Sequence, residues 1–176
     1  KVIHLIRRAP RGDITVMLVC TSLTVLFDMV IAITVGIVLA SLLFMRNIAK
    51  MTRVSPVVVA EPLQDSTAVF RINGPLFFAA AERVFSELTE QAEGKQTLIL
   101  QWDAVSVLDA GGLNALMHFI EHIQPEQRLI ITDVPFQPLK TLARARVKPE
   151  PGKLEFMPSL EIALQELRAE QDSHGL

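Results

Sequence analysis

Sulfur and aromatic chemistry are scarce in this 176-residue chain, which holds one cysteine, one tryptophan and no tyrosine. A lone cysteine, Cys20, excludes an intrachain disulfide and any cysteine-built metal site. The chain also lacks a Walker loop, a dinucleotide fingerprint, a nucleophile elbow and a metalloprotease helix. No enzymatic activity, metal or cofactor is therefore expected. An aromatic content of 6% and a net charge of -2 argue against nucleic-acid binding. Charge is missing locally as well. Between Ile14 and Met45 there is no Lys, Arg, Glu, His or Pro, and Asp28 is the sole charged residue.

What fills that stretch is apolar, and Cys20 reads there as a small residue inside a membrane helix; Val19 is too large to precede a lipidated cysteine. One straight helix over it would rise on the order of 48 Å, against about 30 Å of bilayer hydrocarbon. The length predicts a transmembrane hairpin, Ile14 to Phe27 and Met29 to Met45, broken near Asp28. Arg7, Arg8 and Arg11 precede it and Arg46, Lys50 and Arg53 follow, which places both ends in the cytoplasm. A signal peptide would stop at a small-x-small site, whereas this run continues. Ala32, Gly36 and Ala40 recur at i, i+4 and i+8, a spacing that lets another membrane helix approach closely. Small residues are also simply common in such helices. Asp28 at a hairpin turn is expected to face water. The chain opens on Lys1-Val2-Ile3-His4 without methionine, from which the expectation is a piece of a longer protein. The organisation predicted is a basic flank (1–13), two membrane helices (14–46), a linker (47–55), a soluble domain (56–172) and a tail (173–176).

After Ser55-Pro56 the periodicity changes to alternating strands and helices. Strands are predicted at Val57 to Ala60, Ala68 to Asn73, Thr97 to Trp102, Arg128 to Thr132 and Leu154 to Met157. Helices are predicted from Phe78 to Glu93, from an Asp109 N-cap to His122, from Gln137 to Ala145 opened by Pro138, and after a Ser159 cap. Asp172 to Leu176 is expected to fray. These elements make an α/β domain, a mixed sheet with helices packed mainly on one side.

The buried strand Thr97 to Trp102 followed by Val107-Leu108-Asp109-Ala110-Gly111-Gly112-Leu113 resembles the sulfate transporter and anti-sigma factor antagonist (STAS) domain. Phe27-Asp28-Met29-Val30 to Arg46 resembles the last membrane helix of sulfate permease family transporters, nearest the bacterial C4-dicarboxylate branch. The resemblance implies a proton- or sodium-coupled anion carrier of the inner membrane, multi-pass, of which this chain supplies the last two helices. Its substrate would be of the sulfate, dicarboxylate or bicarbonate class. The cytosolic domain would regulate transport, join subunits as a homodimer and dock cytosolic proteins. The alternative is a free-standing, membrane-tethered module that binds a kinase or anti-sigma factor. In the bacterial antagonists a serine in this loop is phosphorylated, and here Ala110 and Gly111 stand at the aligned positions, so that switch has no hydroxyl to use.

Asp109, Ala110, Gly111 and Gly112 remain a candidate regulatory or anion-binding loop, because open amides at a helix start favour anions. Equally, the small residues let the helix pack tightly. His118 and His122 have metal-ligand spacing but no further ligand, and read as exposed polar residues. Lys140, Arg144, Arg146, Lys148 and Lys153 form a basic cluster for anionic lipid, a nucleotide phosphate or an acidic protein, the last favoured. A solvated surface with local salt bridges is the competing reading. Trp102 at a strand end is expected in the core.

Overall fold

The computed structural model describes residues 11–175, so the basic flank at Lys1, Arg7 and Arg8 lies outside the described residues. The chain divides between Met45 and Arg46 into two units.

The first unit corrects the hairpin. A single helix, α1 (Arg11–Ala49), runs 39 residues without a break at Asp28. Nothing there stops it: no proline interrupts the stretch, and one aspartate leaves the i to i-4 ladder intact. Within α1, Ile14–Asn47 is long and apolar enough to cross a membrane. Large apolar side chains stand exposed all round it, Leu18, Phe27, Ile31 and Phe44 among them, a pattern suited to lipid rather than water. The hydroxyls of Thr21, Thr24 and Thr34 donate to the carbonyls of Met17, Cys20 and Val30 at 2.7–2.8 Å. Each hydroxyl is thus satisfied within the helix, as an apolar surrounding requires.

The second unit is a five-stranded sheet in sequential order: β1 (Arg53–Val57), β2 (Thr67–Asn73), β3 (Thr97–Ala104), β4 (Arg128–Thr132) and β5 (Leu154–Met157). Strand β1 is antiparallel to β2, and the other pairs are parallel. Three crossovers carry α2 (Phe78–Gln91), α3 (Ala110–His122) and α4 (Phe136–Arg144). Crossovers of one hand, each moving one strand in the same direction, put their helices on one face. That face is the main core, where Phe70, Leu100 and Ile131 lie in register beneath Val84, Leu88, Leu116 and Leu142. Trp102 is wholly buried there. Alternation sends Val69, Ile99 and Ile130 to the opposite face, against Ala163 and Leu167 of α5 (Leu160–His174).

Four departures from the sequence reading have a clear physical cause. The predicted linker 47–55 shrinks to 50–52, because α1 continues to Ala49 and β1 begins at Arg53. Thr52 is buried and donates to the Pro75 carbonyl at 2.6 Å, while Arg83 donates to the Thr52 carbonyl. The first strand is therefore Arg53–Val57 rather than Val57 to Ala60, and it carries Pro56 at the sheet edge, where a missing N–H costs no ladder bond. Pro135, not Pro138, precedes α4, and Pro138 sits in the first turn, where its lack of an N–H is harmless. Finally, α5 holds through His174 instead of fraying from Asp172, with Gly175 donating to the Gln171 carbonyl at 3.1 Å.

Candidate functional site

The chain leaves the carboxyl ends of β2, β3 and β4 through residues 74–77, 105–109 and 133–135. In parallel sheets this rim is where ligands gather. Two of these turns are zipped together: Gly74 N donates to Ala104 O at 3.0 Å and Leu76 N to Val107 O at 2.8 Å. The third element, α4, grips the second turn. Gln137 Oε1 accepts from Leu108 N at 2.9 Å, and Thr141 Oγ1 donates to Leu108 O at 3.2 Å. The grip joins α4, which carries Lys140 and Arg144 of the basic cluster, to the loop at Asp109. Sequence reasoning missed Gln137 and Thr141, since nothing local pairs a helix amide with a backbone segment 29 residues earlier.

The loop itself is a packed joint. Asp109 Oδ1 accepts from Gly112 N at 2.6 Å, the N-cap expected. A Cβ on Gly112 would overlap the Leu76 carbonyl oxygen and meet its carbon and Leu108 Cδ1 at 3.0 Å. A Cβ on Gly111 would lie 2.7 Å from Phe78 Cβ. Both glycines are accounted for by the close approach of α3 to the start of α2, the tight-packing reading. Ala110 is exposed and brings no hydroxyl.

The basic cluster is placed on α4 and the segment that follows. Lys140 and Arg144 are one turn apart on the exposed side of α4, and Arg146 and Lys148 follow it, all exposed. Lys153, half-buried, stands just before β5. None of the five has a carboxylate within 4.0 Å among the described residues, so the local salt bridges of the competing reading are not made. The domain's ion pairs lie elsewhere. Arg128 meets Glu155 and, at 2.9 Å, Glu170, tying β4 to β5 and α5. Burial pulls the Arg128 guanidinium down, but its bonds to the two glutamates outweigh this and leave it raised. Arg71 forms a two-pronged pair with Asp103 at 2.9 and 2.7 Å across the edge of β2 and β3.

Arg146 adopts φ +55. Its N–H donates to Ala143 O at 3.1 Å, and Val147 N donates to Leu142 O at 3.1 Å. This is a Schellman closure with arginine at the position that glycine usually fills. Sequence reading missed the two apolar neighbours of the cluster, Phe136 at 81% exposure and Leu139 at 50%. Phe136 fell outside the helix as predicted, which began at Gln137.

His118 and His122 stack with ring centroids 4.0 Å apart, and His122 Nδ1 lies 2.8 Å from the His118 carbonyl. They line a groove between α2 and α3 with Glu82 and Glu90. No group of three metal-ligating side chains occurs among the described residues. In α1, a Cβ on Gly36 would have nothing within 4 Å, so the face carrying Ala32, Gly36 and Ala40 is open in this chain.

The STAS domain family profile matches residues 59–163. A curated relative described as "Putative sulfate transporter YvdB", from Bacillus subtilis (strain 168), is 29% identical over 155 residues, covering 85% of this chain. The chain spans only 29% of that relative's length. Among solved structures, the crystal structure of an anti-sigma factor antagonist from Mycobacterium paratuberculosis superposes with a TM-score of 0.53 at 17% identity. That match covers 66% of this chain and 95% of the antagonist, and it establishes a common fold.

Proposed function

The chain belongs to the STAS domain family, and from that premise we propose that it is the C-terminal portion of a sulfate permease family anion transporter. One observation carries the reading. The match to the Bacillus subtilis relative leaves about 15% of this chain outside, roughly 26 residues, fewer than the 39 of α1. The similarity therefore extends beyond the domain into the apolar helix that precedes it. A freely soluble antagonist needs no such helix.

In this reading α1 belongs to the membrane part of the carrier, in a bacterial inner membrane, and packs against its remaining helices. The Ala32, Gly36 and Ala40 face is the surface for that contact. The STAS domain lies in the cytoplasm, catalyses nothing, pairs with a second subunit and regulates transport in response to cytosolic partners. The transported anion is of the sulfate, dicarboxylate or bicarbonate class, with the C4-dicarboxylate branch as the specific proposal.

The test is the size of the native polypeptide in isolated membranes, detected with an antibody against residues 56–176. A band far above 19.5 kDa supports the carrier, and uptake of labelled sulfate against labelled succinate then assigns the anion. A band near 19.5 kDa refutes it in favour of a tethered signalling module.

A further inference from the structure

We propose that the exposed face of α4 is a lipid-contact surface that rests on anionic headgroups, an inference that depends on α1 being inserted in the membrane. The residues are Phe136, Leu139, Lys140 and Arg144 on the helix, with Arg146 and Lys148 beyond it. At 100° per residue, the exposed α4 positions fall within an arc of about 160°. The buried side of the helix is taken by Pro138 and Leu142. One edge of the exposed arc is apolar, with Phe136 81% and Leu139 50% exposed. The other edge is cationic, and none of its charges is paired among the described residues.

Exposed phenylalanine and leucine beside unpaired lysine and arginine is the arrangement of an interfacial helix. The apolar side chains enter the acyl boundary while the long cationic stems reach back to phosphate. Four further points favour lipid over an acidic protein. The surface is a single nine-residue helix face, small against the roughly 800 Å² per partner of a stable protein interface. A fluid headgroup layer demands no matching shape. In addition, only Lys50 to Thr52 separate α1 from β1, a reach on the order of 14 Å at most, and Thr52 is itself fixed to the domain through Pro75 and Arg83. A domain on so short a tether stays within reach of the bilayer. Arg146 adds a fourth point: it holds a left-handed conformation that glycine would adopt without strain, and strain of this kind collects where a side chain has work to do.

The experiment uses the full chain in nanodiscs, with Cys20→Ser and Ala143→Cys providing one labelling position in the middle of the exposed arc. An environment-sensitive dye there is read in phosphatidylcholine discs with and without phosphatidylglycerol, and against nitroxide-bearing lipids. The expected result is a blue shift and nitroxide quenching that require phosphatidylglycerol and fade with salt. The docked-to-undocked ratio should fall about fivefold for each cation removed, as in Lys140→Gln and Arg144→Gln. Arg146→Gly should lower docking by the same factor while leaving the fold intact by Trp102 fluorescence, which separates lost contact from lost structure. A dye that stays in water in both kinds of disc overturns the proposal while α1 remains inserted. A shift produced by polyglutamate but not by phosphatidylglycerol overturns it in favour of a protein partner. Release of the chain from membranes by alkaline carbonate refutes the membrane reading and this inference together.

Discussion

Replacing Gly112 by alanine tests whether the 109–112 loop is a packed joint or an open binding site. In an exposed helix the change would stabilise by about 1 kcal/mol through backbone entropy. Here the new methyl would meet the Leu76 carbonyl carbon and Leu108 Cδ1 at 3.0 Å, with the carbonyl oxygen closer still. Carbon contacts relax at roughly 3.5–4.0 Å, so the backbones must part by at least about half an ångström. Neither is free to do so. Leu76 N is bonded to Val107 O at 2.8 Å, and Gly112 N to Asp109 Oδ1 at 2.6 Å. Overpacking costs about 1–3 kcal/mol and a lost N-cap about 1 kcal/mol more. The net effect, after the backbone-entropy gain is set against these costs, should be destabilisation by about 1–3 kcal/mol, a large fraction of the 5–15 kcal/mol typical of a domain. Urea unfolding in mild detergent measures it, with the buried and only tryptophan, Trp102, as reporter. Gly111→Ala should cost less, about 1–2 kcal/mol, because its contact is the exposed Phe78 at the start of α2. A Gly112→Ala protein as stable as the parent would refute the packing account, and the glycine would then need a ligand to explain it.

Three other outcomes follow from the geometry. Arg146→Gly should raise stability by about 1 kcal/mol, since glycine accepts positive φ without the side-chain penalty, and a shift of the urea midpoint reads this. Gln137→Ala should lower stability by about 1–3 kcal/mol by leaving the N–H of the buried Leu108 without its partner, with Gln137→Glu retaining the acceptor and most of the loss recovered. Arg128→Ala should cost about 1–2 kcal/mol, because it leaves Glu155 and Glu170 facing each other across β5 and α5 without a cation. A double-mutant cycle with Glu155→Ala gives the coupling, and additive losses would show that Arg128 and Glu155 do not stabilise each other.

Local signals were enough for the elements whose ends are set by nearby residues. Asp109 and Ser159 were legible as caps because each accepts from an N–H three residues on. Strands β3 and β4 were legible because buried parallel strands are continuous apolar runs. The hairpin was misread because hydrophobic length limits what fits a bilayer, yet does not break a helix that has no proline. The basic cluster was legible by type, but its apolar half was not. Whether Phe136 is covered depends on Pro138 and Leu142 turning the other side of α4 to the sheet.

The amino-acid sequence by itself determined the class of this protein: a long apolar segment, a change of periodicity after it, and a strand–loop–helix series around Leu108 to Gly112. These are local in chain distance, and short-range periodicity encodes them. Only the tertiary structure decided that Gly111 and Gly112 are filled by Leu76 and Phe78. The same holds for the hold of Gln137 on Leu108 and for the absence, among the described residues, of a carboxylate partner for the cations of α4. The first two join residues some thirty positions apart, and proximity at that range is set by the packing of helices on the sheet.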